Sequence, residues 1–352
     1  MSRFLLPRLS SLTAYVPGEQ PRGEKLVKLN TNESPFPPSP KVLEALCRAE
    51  TERLHLYPDP NATALEEAIA ARFGVSGNQV LAGNGSDELL AFCFQAFCGG
   101  VCFPDITYGL YAVLAKLYGS DARVIPLSDD FHIMPEDYYA AGRTILFANP
   151  NAPTGLYLTP GQVERILRNN PDSLVIVDEA YIDFGGESAA PLLSRCDNLL
   201  IVQTFSKSYS LAGARIGFAL GCESLIDDLR RVKFSFNPYS VNRLSILAGA
   251  AAMADEPYFT ACTLAVTRTR SIVAAELRAR GFEVTDSMGN FLFVRPPFQS
   301  GRQFAEGLRA RGVLVRHFAK PRIDGFVRVT IGMPEQMRAL LDATDQIMEE
   351  TE

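Results

Sequence analysis

Histidine is scarce in this chain, and it has neither a block of basic residues nor a long apolar run. The three histidines, His55, His132 and His317, lie far apart, which disfavours a histidine-based zinc site and a Ser-His-Asp triad. The net charge of -6 argues against a nucleic-acid surface. No stretch of about 18 apolar residues occurs, as a membrane span would need. We therefore expect no metal, no nucleic-acid partner and no membrane insertion.

The seven cysteines are scattered, and no Cys-x-x-Cys pair is present. Most of them stand in apolar contexts, so we expect buried, reduced thiols rather than disulfides. Near the N-terminus, the apolar run at residues 4–6 is too short for the core of a signal peptide. These features predict a cytoplasmic protein.

A chain of 352 residues is long enough for one large and one smaller domain. The prolines of "NTNESPFPPSP" prevent a helix there, so residues 1–40 are predicted to form an extended arm that packs with the small domain. Residues 41–245 are predicted to form the large domain and residues 246–352 the small one.

Near-continuous apolar runs predict strands that are buried on both faces. These runs are "QVLAG", "GVCFP", "TILFANP", "LVIVDEAY" and "NLLIVQTF". Such strands are typical of a mostly parallel sheet flanked by helices, so the fold class is α/β. "ARIGFAL" is predicted as a further strand that could run antiparallel. The last seventy residues alternate short strands with two helices and predict a smaller α+β unit.

The stretch "TFSKSYSLAGARIGFAL" places Lys207 and Arg215 among small, hydroxylic and apolar residues. A lysine in a serine- and glycine-rich stretch is more often a solvated surface charge. Here the dense apolar neighbours favour a partly desolvated amine, which is a usable nucleophile toward a carbonyl. The arginine offers a planar set of donors suited to phosphate. Pyridoxal phosphate requires both groups.

Two further segments at the ends of predicted strands carry groups that could bind the same cofactor. Asp178 follows four apolar residues in "LVIVDEAYIDF", so its carboxylate is expected to be partly buried and to need a cationic partner, such as a protonated pyridine nitrogen. Two acidic residues at the end of a strand more often face solvent or bind a metal. "GNGSDELL" is a glycine-rich turn that opens a helix, which suits a phosphate but also describes an ordinary capped turn.

Two loops complete the set. In "ANPNAPTG" two prolines hold Asn149 and Asn151 in a stiff loop, which is either an ordinary turn or a source of an amide for a phenolic oxygen. In "FPDITYGLY", Tyr108 is either a core residue or a ring that stacks on a pyridine.

The order of these motifs along nearly the whole chain resembles that of fold-type-I pyridoxal-phosphate aminotransferases, and among them the histidinol-phosphate aminotransferases. The resemblance rests on "KLNTNESPFPPSP", "LYPDP", "GNGSDE", "TYGLY", "NPNAPTG", "DEAYIDF", "TFSKSYSLAGARIG", "SMGNFLFV" and "FVRVTIG". It implies that Lys207 holds the cofactor aldehyde as a Schiff base and shuttles the substrate proton. It also implies that Asp178 keeps the pyridine nitrogen protonated.

The resemblance assigns the remaining cofactor contacts by position. Tyr181 would bond the ring oxygen and Tyr108 would stack on the ring. The phosphate would be held by the backbone amides of Ser86 and Asp87, by Ser206 and Arg215, and by Tyr57 of the other subunit of a homodimer. One position departs from the family pattern: Ala152 stands where the family often has an asparagine on the ring oxygen. Either Asn151 takes this role or Tyr181 serves alone, and we assign it to Asn151.

The resemblance also implies the substrates. Arg316 and Arg328 would bind the phosphate of histidinol phosphate, with Tyr15 covering it, and the same arginines would bind 2-oxoglutarate and glutamate. Taken alone, two arginines are more often surface charges. The implied reaction interconverts L-histidinol phosphate and 2-oxoglutarate with imidazole-acetol phosphate and L-glutamate, in histidine biosynthesis.

Three alternatives share this fold: an aromatic amino-acid aminotransferase, a threonine-phosphate decarboxylase, and a non-catalytic regulator that binds the cofactor. The regulator would need an attached DNA-binding domain. The forty-residue arm is too short and too rich in proline to form one.

Overall fold

The computed structural model describes residues 4–21 and 25–350, and its centre is a seven-stranded sheet. In chain order the strands are β1 (Val27–Lys28), β2 (Val80–Gly83), β3 (Gly100–Pro104), β4 (Asp121–Ile125), β5 (Thr144–Ala148), β6 (Val175–Asp178), β7 (Leu199–Thr204), β8 (Gly217–Gly221), β9 (Glu283–Val284), β10 (Phe291–Arg295), β11 (Val313–Leu314), β12 (Arg316–His317) and β13 (Val327–Thr330). The central sheet has the order β2-β8-β7-β6-β5-β3-β4.

Strand β8 runs antiparallel to both of its neighbours, and the other pairs of the central sheet are parallel. This confirms the predicted mostly parallel sheet and the antiparallel direction considered for "ARIGFAL". Successive residues of β5 alternate between two cores, with Ile145 and Phe147 in one and Leu146 in the other. Each fully buried side chain of this size contributes about 1.5–3 kcal/mol, so both faces of the sheet stabilise the fold.

Helices cover both faces of this sheet and the second unit. They are α1 (Pro40–Ala45), α2 (Arg48–Thr51), α3 (Thr63–Phe73), α4 (Ser86–Phe97), α5 (Leu110–Tyr118), α6 (Pro160–Arg168), α7 (Glu223–Phe236), α8 (Arg243–Met253), α9 (Glu256–Ala279), α10 (Gly301–Ala310) and α11 (Pro334–Glu349). None of the helices within residues 4–21 and 25–350 is long and apolar enough to cross a membrane.

The second unit is a four-stranded antiparallel sheet of order β12-β13-β10-β9, with a core of its own. Strand β1, from the N-terminal segment, pairs in parallel with β11 (Val27 with Val313). The run "GVLVRH", which we predicted as one strand, is divided at Val315, because β11 pairs with β1 whereas β12 pairs with β13. The predicted α+β character is confirmed, and the domain boundaries at residues 40 and 245 stay a prediction.

Candidate active site

A cavity of about 510 Å³ opens at the carboxyl ends of β5, β6 and β7, where ligands of α/β sheets bind. It brings together eleven of the thirteen side chains that the sequence singled out: Tyr15, Ser86, Asp87, Tyr108, Asp178, Tyr181, Ser206, Lys207, Arg215, Arg316 and Arg328. Asn151 and Tyr57 are not among the residues that line it. The segments that contribute these side chains are far apart in sequence, and the sheet order makes them neighbours.

Asp178 is the last residue of β6, between Ala148 of β5 and Val202 of β7. Its side chain is buried, and burial raises the pKa of Asp178 to about 6. Two hydrogen bonds oppose this effect: the Tyr111 hydroxyl donates to Oδ2 at 2.7 Å, and the Ala180 amide donates to Oδ1 at 3.2 Å. A cationic partner inside the cavity would favour the ionised carboxylate.

Tyr111 is a residue of the site that the sequence reasoning did not identify. It lies on the buried face of α5 with Leu114 and Ala115, and its hydroxyl bonds Asp178 across 67 positions of sequence. A tyrosine on an otherwise aliphatic helix face was the available signal, because a buried hydroxyl needs a hydrogen-bond partner.

Lys207 lies in the loop after β7, and its amine reaches into the same cavity. The Nζ atom donates to the carbonyl oxygen of Thr31 at 3.1 Å and stands 5.8 Å from the centre of the Tyr181 ring. The Tyr181 hydroxyl accepts a hydrogen bond of 3.1 Å from Nδ2 of Asn32. The "NTNES" segment thus contacts both side chains, although we had read it from the sequence only as an extended arm.

The start of α4 forms a cradle of donors at one end of the cavity. Helix α4 begins after Gly85, at a φ of 82°, and has no side-chain cap. A Cβ atom at Gly85 would lie 2.8 Å from Nη2 of Arg215, and one at Gly217 would lie 2.5 Å from the Ser86 nitrogen. Glycine therefore leaves the space in which an anion can meet the helix N-terminus.

Arg215 and its neighbours complete this cradle. Its Nη1 donates to the Ser206 hydroxyl at 3.5 Å, and its Nη2 lies 3.3 Å from a carboxylate oxygen of Asp87. The other oxygen of Asp87 accepts from the Tyr108 hydroxyl at 3.0 Å. Amide, hydroxyl and guanidinium donors converge here, as a phosphate requires. The residues present therefore fit the phosphate of pyridoxal phosphate at this end and its pyridine nitrogen at Asp178.

Two arginines face each other at the opposite end of the cavity. Arg316 of β12 and Arg328 of β13 are directly opposed in the antiparallel pair, and each guanidinium lies within 6 Å of the Phe318 ring. Arg328 donates to the Asn30 carbonyl at 3.1 Å, but its buried Nε has no partner. Burial lowers the pKa of Arg328.

No ion pair neutralises either arginine within the part of the chain that the structure describes. Arg316 makes only long contacts to the carbonyl oxygens of Val16 and Pro17, at 3.4 and 3.5 Å. Like charges directly opposite on neighbouring strands are destabilising. An anion of charge -2 placed between the two guanidiniums would remove this cost.

Tyr15 covers the space beside the two arginines. Its ring meets Tyr108 edge to face, with centroids 5.7 Å apart, and residues 13–18 line the cavity. Desolvation raises the pKa of Tyr15, and the nearby charges of Arg328 and Arg316 oppose the rise. The N-terminal segment therefore forms one wall of the site.

The structure does not support our assignment of Asn151. Its Nδ2 donates to the Ile106 carbonyl at 2.9 Å and to the Thr154 hydroxyl at 3.1 Å, so neither amide hydrogen points to a ligand. Asn149 donates to the carbonyl oxygen of Leu158 and accepts from its amide, and it does not line the cavity. The residue of this loop that reaches the cavity beside Pro153 is Ala152, whose side chain has no hydrogen-bond donor.

Tyr57 lies on the surface, 79% exposed, and stacks on Tyr239 with ring centroids 4.6 Å apart. It does not line the cavity, whose described walls come from other segments.

Comparison with known proteins identifies the family of this chain. The family model for class I and II aminotransferases matches residues 24–343. The chain belongs to this family. It is 52% identical over 355 residues to histidinol-phosphate aminotransferase 2 of Dechloromonas aromatica (strain RCB), covering 99% of both chains. It is 50% identical over 346 residues to histidinol-phosphate aminotransferase 1 of Pseudomonas aeruginosa (strain PAO1), covering 97% of this chain and 99% of the other.

Solved structures of aminotransferases share this fold. The histidinol-phosphate aminotransferase of Sinorhizobium meliloti, crystallised in complex with pyridoxal-5'-phosphate, superposes with a TM-score of 0.86. The identity is 24%, and the match covers 99% of both chains. This likeness confirms the fold-type-I architecture of the aminotransferase described here.

Proposed function

We propose that this aminotransferase interconverts L-histidinol phosphate and 2-oxoglutarate with imidazole-acetol phosphate and L-glutamate, using pyridoxal phosphate. The opposed pair Arg316 and Arg328 carries this proposal, since two unpaired guanidiniums in the same cavity as Lys207 suit a substrate phosphate. The high identity to proteins named for this activity supports the same substrate.

The cofactor, when bound, supplies an aldehyde for the substrate amine and a pyridine ring that accepts electrons from the α-carbon. We assign Lys207 as the base that would remove the proton from the substrate's α-carbon and deliver it to the C4′ carbon of the cofactor. Lys207 is a partly buried lysine, and its side chain lines the cavity. Asp178, ionised and buried, would hold the proton on the ring nitrogen. Tyr181 would donate to the ring oxygen.

The phosphate of the cofactor would be held at the start of α4. The amides of Ser86 and Asp87, the Ser206 hydroxyl and Arg215 supply the donors, and Tyr108 forms the adjacent wall. The substrate phosphate would lie between Arg316 and Arg328 under Tyr15. The carboxylates of 2-oxoglutarate would use the same two guanidiniums, so one anion site serves both half-reactions.

Substitution of Arg328 by alanine tests the substrate site. We expect kcat/KM for histidinol phosphate to fall about 10²-fold or more, since a charge-assisted hydrogen bond contributes roughly 1.5–3 kcal/mol and Arg328 can make two. Cofactor binding should be retained, because Arg328 donates to Asn30 and not to the residues around Arg215 that would hold the cofactor phosphate.

The matched control is Arg295→Ala, which removes an arginine from β10 of the same sheet. Arg295 pairs with Glu283 and lies outside the cavity, so its loss should leave steady-state kinetics near those of the wild type. Wild-type kcat/KM for histidinol phosphate in Arg328→Ala would remove the proposed role of the arginine pair.

A comparison of substrates separates this proposal from its rivals on the same fold. With histidinol phosphate we expect a higher kcat/KM than with phenylalanine or tyrosine. Conversion of the cofactor to its amine form identifies a transaminase, whereas release of CO2 from threonine phosphate would identify a decarboxylase. A cofactor band without turnover of any amine would favour the non-catalytic regulator.

We also propose a homodimer whose two sites are shared. The surface around Tyr57 exposes several large apolar side chains: Leu54, Leu56, Phe236 and Tyr239. Exposed apolar residues in such a group are typical of an interface. In a dimer through this surface, the Tyr57 hydroxyl would reach the cofactor phosphate of the partner.

Mixing two defective variants tests the shared site. Tyr57→Phe should weaken cofactor binding about tenfold, the effect of one hydrogen bond to a charged group, whereas Tyr239→Phe should not. At limiting cofactor, a dimer of one Lys207→Ala chain and one Tyr57→Phe chain contains one intact site. Activity should therefore reappear on mixing, and a persistent lack of activity, or a monomer in sedimentation, would contradict the proposal.

For the compartment, we propose the cytoplasm. All seven cysteines are free thiols, four of them buried, which suits a reducing environment. Growth of a histidine auxotroph with the chain expressed without an export signal would support this location.

A further inference from the structure

The loop Ala148–Gly155 offers no side-chain amide to the cavity, and so none to the ring oxygen of a bound cofactor. Asn149 and Asn151 are both committed elsewhere, and Ala152 presents a methyl group. On the proposed function, the Tyr181 hydroxyl is then the donor for this oxygen. Its orientation has to be set by something other than the loop.

The residue that orients the Tyr181 hydroxyl is Asn32. Its Nδ2 donates to the Tyr181 hydroxyl oxygen at 3.1 Å, and its side chain is 0% exposed. Asn32 itself is not among the residues that line the cavity, so it acts through Tyr181. A phenol that accepts this bond keeps its own hydrogen for another acceptor, and the accepted bond polarises the O–H toward donation.

The direction of the Asn32 amide is fixed by Thr330. The Thr330 hydroxyl accepts from the Asn32 backbone nitrogen at 2.9 Å and donates to Asn32 Oδ1 at 3.0 Å. With Oδ1 accepting from Thr330, Nδ2 is the atom that faces Tyr181.

The backbone at Asn32 is also held in place. Its φ is 55°, in the left-handed region that asparagine tolerates better than most residues, and its carbonyl accepts from Asn290 Nδ2 at 3.0 Å. Thr330 and Asn290 are both buried, and they lie on or beside strands of the small sheet. The hydrogen bonds of Asn32 therefore connect the small sheet to Tyr181, which follows strand β6 of the central sheet.

We propose that Asn32 is a positioning residue that orients and polarises the Tyr181 hydroxyl toward the ring oxygen, in place of an amide at position 152. The inference rests on the proposed function. A donor at the ring oxygen stabilises its negative charge, which lowers the proton affinity of the adjacent nitrogen in the covalent link with Lys207. Loss of Asn32 should raise that proton affinity.

The test is a pH titration of the near-visible absorption band of the holoenzyme. Tyr181→Phe should move the midpoint upward by about 1 pH unit, the equivalent of one hydrogen bond to a charged oxygen. Asn32→Gly, which suits a positive φ, should move it upward by about 0.3–0.5 pH unit. Asn32→Asp keeps the volume and turns the phenolic hydrogen away from the ring, so it should move the midpoint further than the glycine variant.

A double-mutant cycle distinguishes positioning from a general structural effect. In the Tyr181→Phe background, Asn32→Gly should cause no further shift, because the hydroxyl through which Asn32 acts is absent. An equal shift in both backgrounds, or an unchanged midpoint in Asn32→Gly and Asn32→Asp, would overturn the inference. Absence of the band from the wild-type protein would contradict the proposed function instead.

Discussion

Replacing Lys207 by alanine is expected to abolish amino-group transfer while leaving the chain folded. The amine is both the attachment point for the cofactor and the base that moves the substrate proton, so kcat should fall by at least about 10³-fold. The near-visible band, reducible by borohydride in the wild type, should disappear. The folded state loses one hydrogen bond, from Nζ to the Thr31 carbonyl, which costs about 1 kcal/mol.

Lys207→Arg is the matched control for charge. It keeps a cation near Thr31 and Tyr181 but cannot form the covalent link, so it should be as inactive as the alanine variant. Circular dichroism of both variants should match the wild type, and thermal unfolding should shift by no more than a loss of about 1 kcal/mol implies. If either variant retained substantial turnover, another group would have to be the base.

Removing the charge of Asp178 is the substitution with the second largest expected effect. Asp178→Asn preserves shape and the bond from Tyr111, but it leaves a protonated ring nitrogen without its counter-charge. Loss of one partner from a buried charge pair costs about 3–5 kcal/mol, which corresponds to a fall in kcat of roughly 10²–10⁴-fold. Single-turnover rates with histidinol phosphate measure this directly.

The neighbouring carboxyl group provides the control. Glu179 is equally buried, and burial raises its pKa to about 7, but its oxygens accept from Ser188, Ala189 and Gln203 outside the cavity. Glu179→Gln should lower stability without lowering the single-turnover rate of folded protein. Equal losses of rate in the two variants would show that a buried charge in this region, rather than Asp178, matters.

The pH dependence of cofactor binding follows from the same group. Burial raises the pKa of Asp178 to about 6 in the cofactor-free protein, so below that pH the carboxyl is protonated and must lose its proton to pair with the ring nitrogen. The wild type should bind the cofactor more tightly than Asp178→Asn does. This difference in affinity should be largest near neutral pH and should decrease as the pH falls below 6. An advantage independent of pH would contradict this.

The central sheet could be predicted because its strands carry an unusually plain signal. Strands β5, β6 and β7 are apolar at most positions. Strand β6 ends in Asp178 and β7 in Thr204, and Asn149 follows β5, so the sheet order brings polar residues to one edge. Motif order also singled out Asp178, Lys207 and Arg215, which the structure brings into one cavity at that edge, and their roles toward a cofactor stay a proposal.

The remaining contacts depend on distances that sequence patterns do not contain. Tyr111 reaches Asp178, and Asn32 reaches Tyr181, across 67 and 149 positions. The strand "GVLVRH" looked continuous, but its division at Val315 is set by which partner strand each half meets. The orientation of Asn151 depends on Ile106 and Thr154, which accept its two amide hydrogens, and no sequence pattern indicates these contacts.

Peptide mapping after borohydride reduction of the holoenzyme tests the central claim most directly. The cofactor should be found on a single lysine, Lys207, and the same treatment of Asp178→Asn should label the same position. Label on any other lysine, or none on Lys207, would contradict the account.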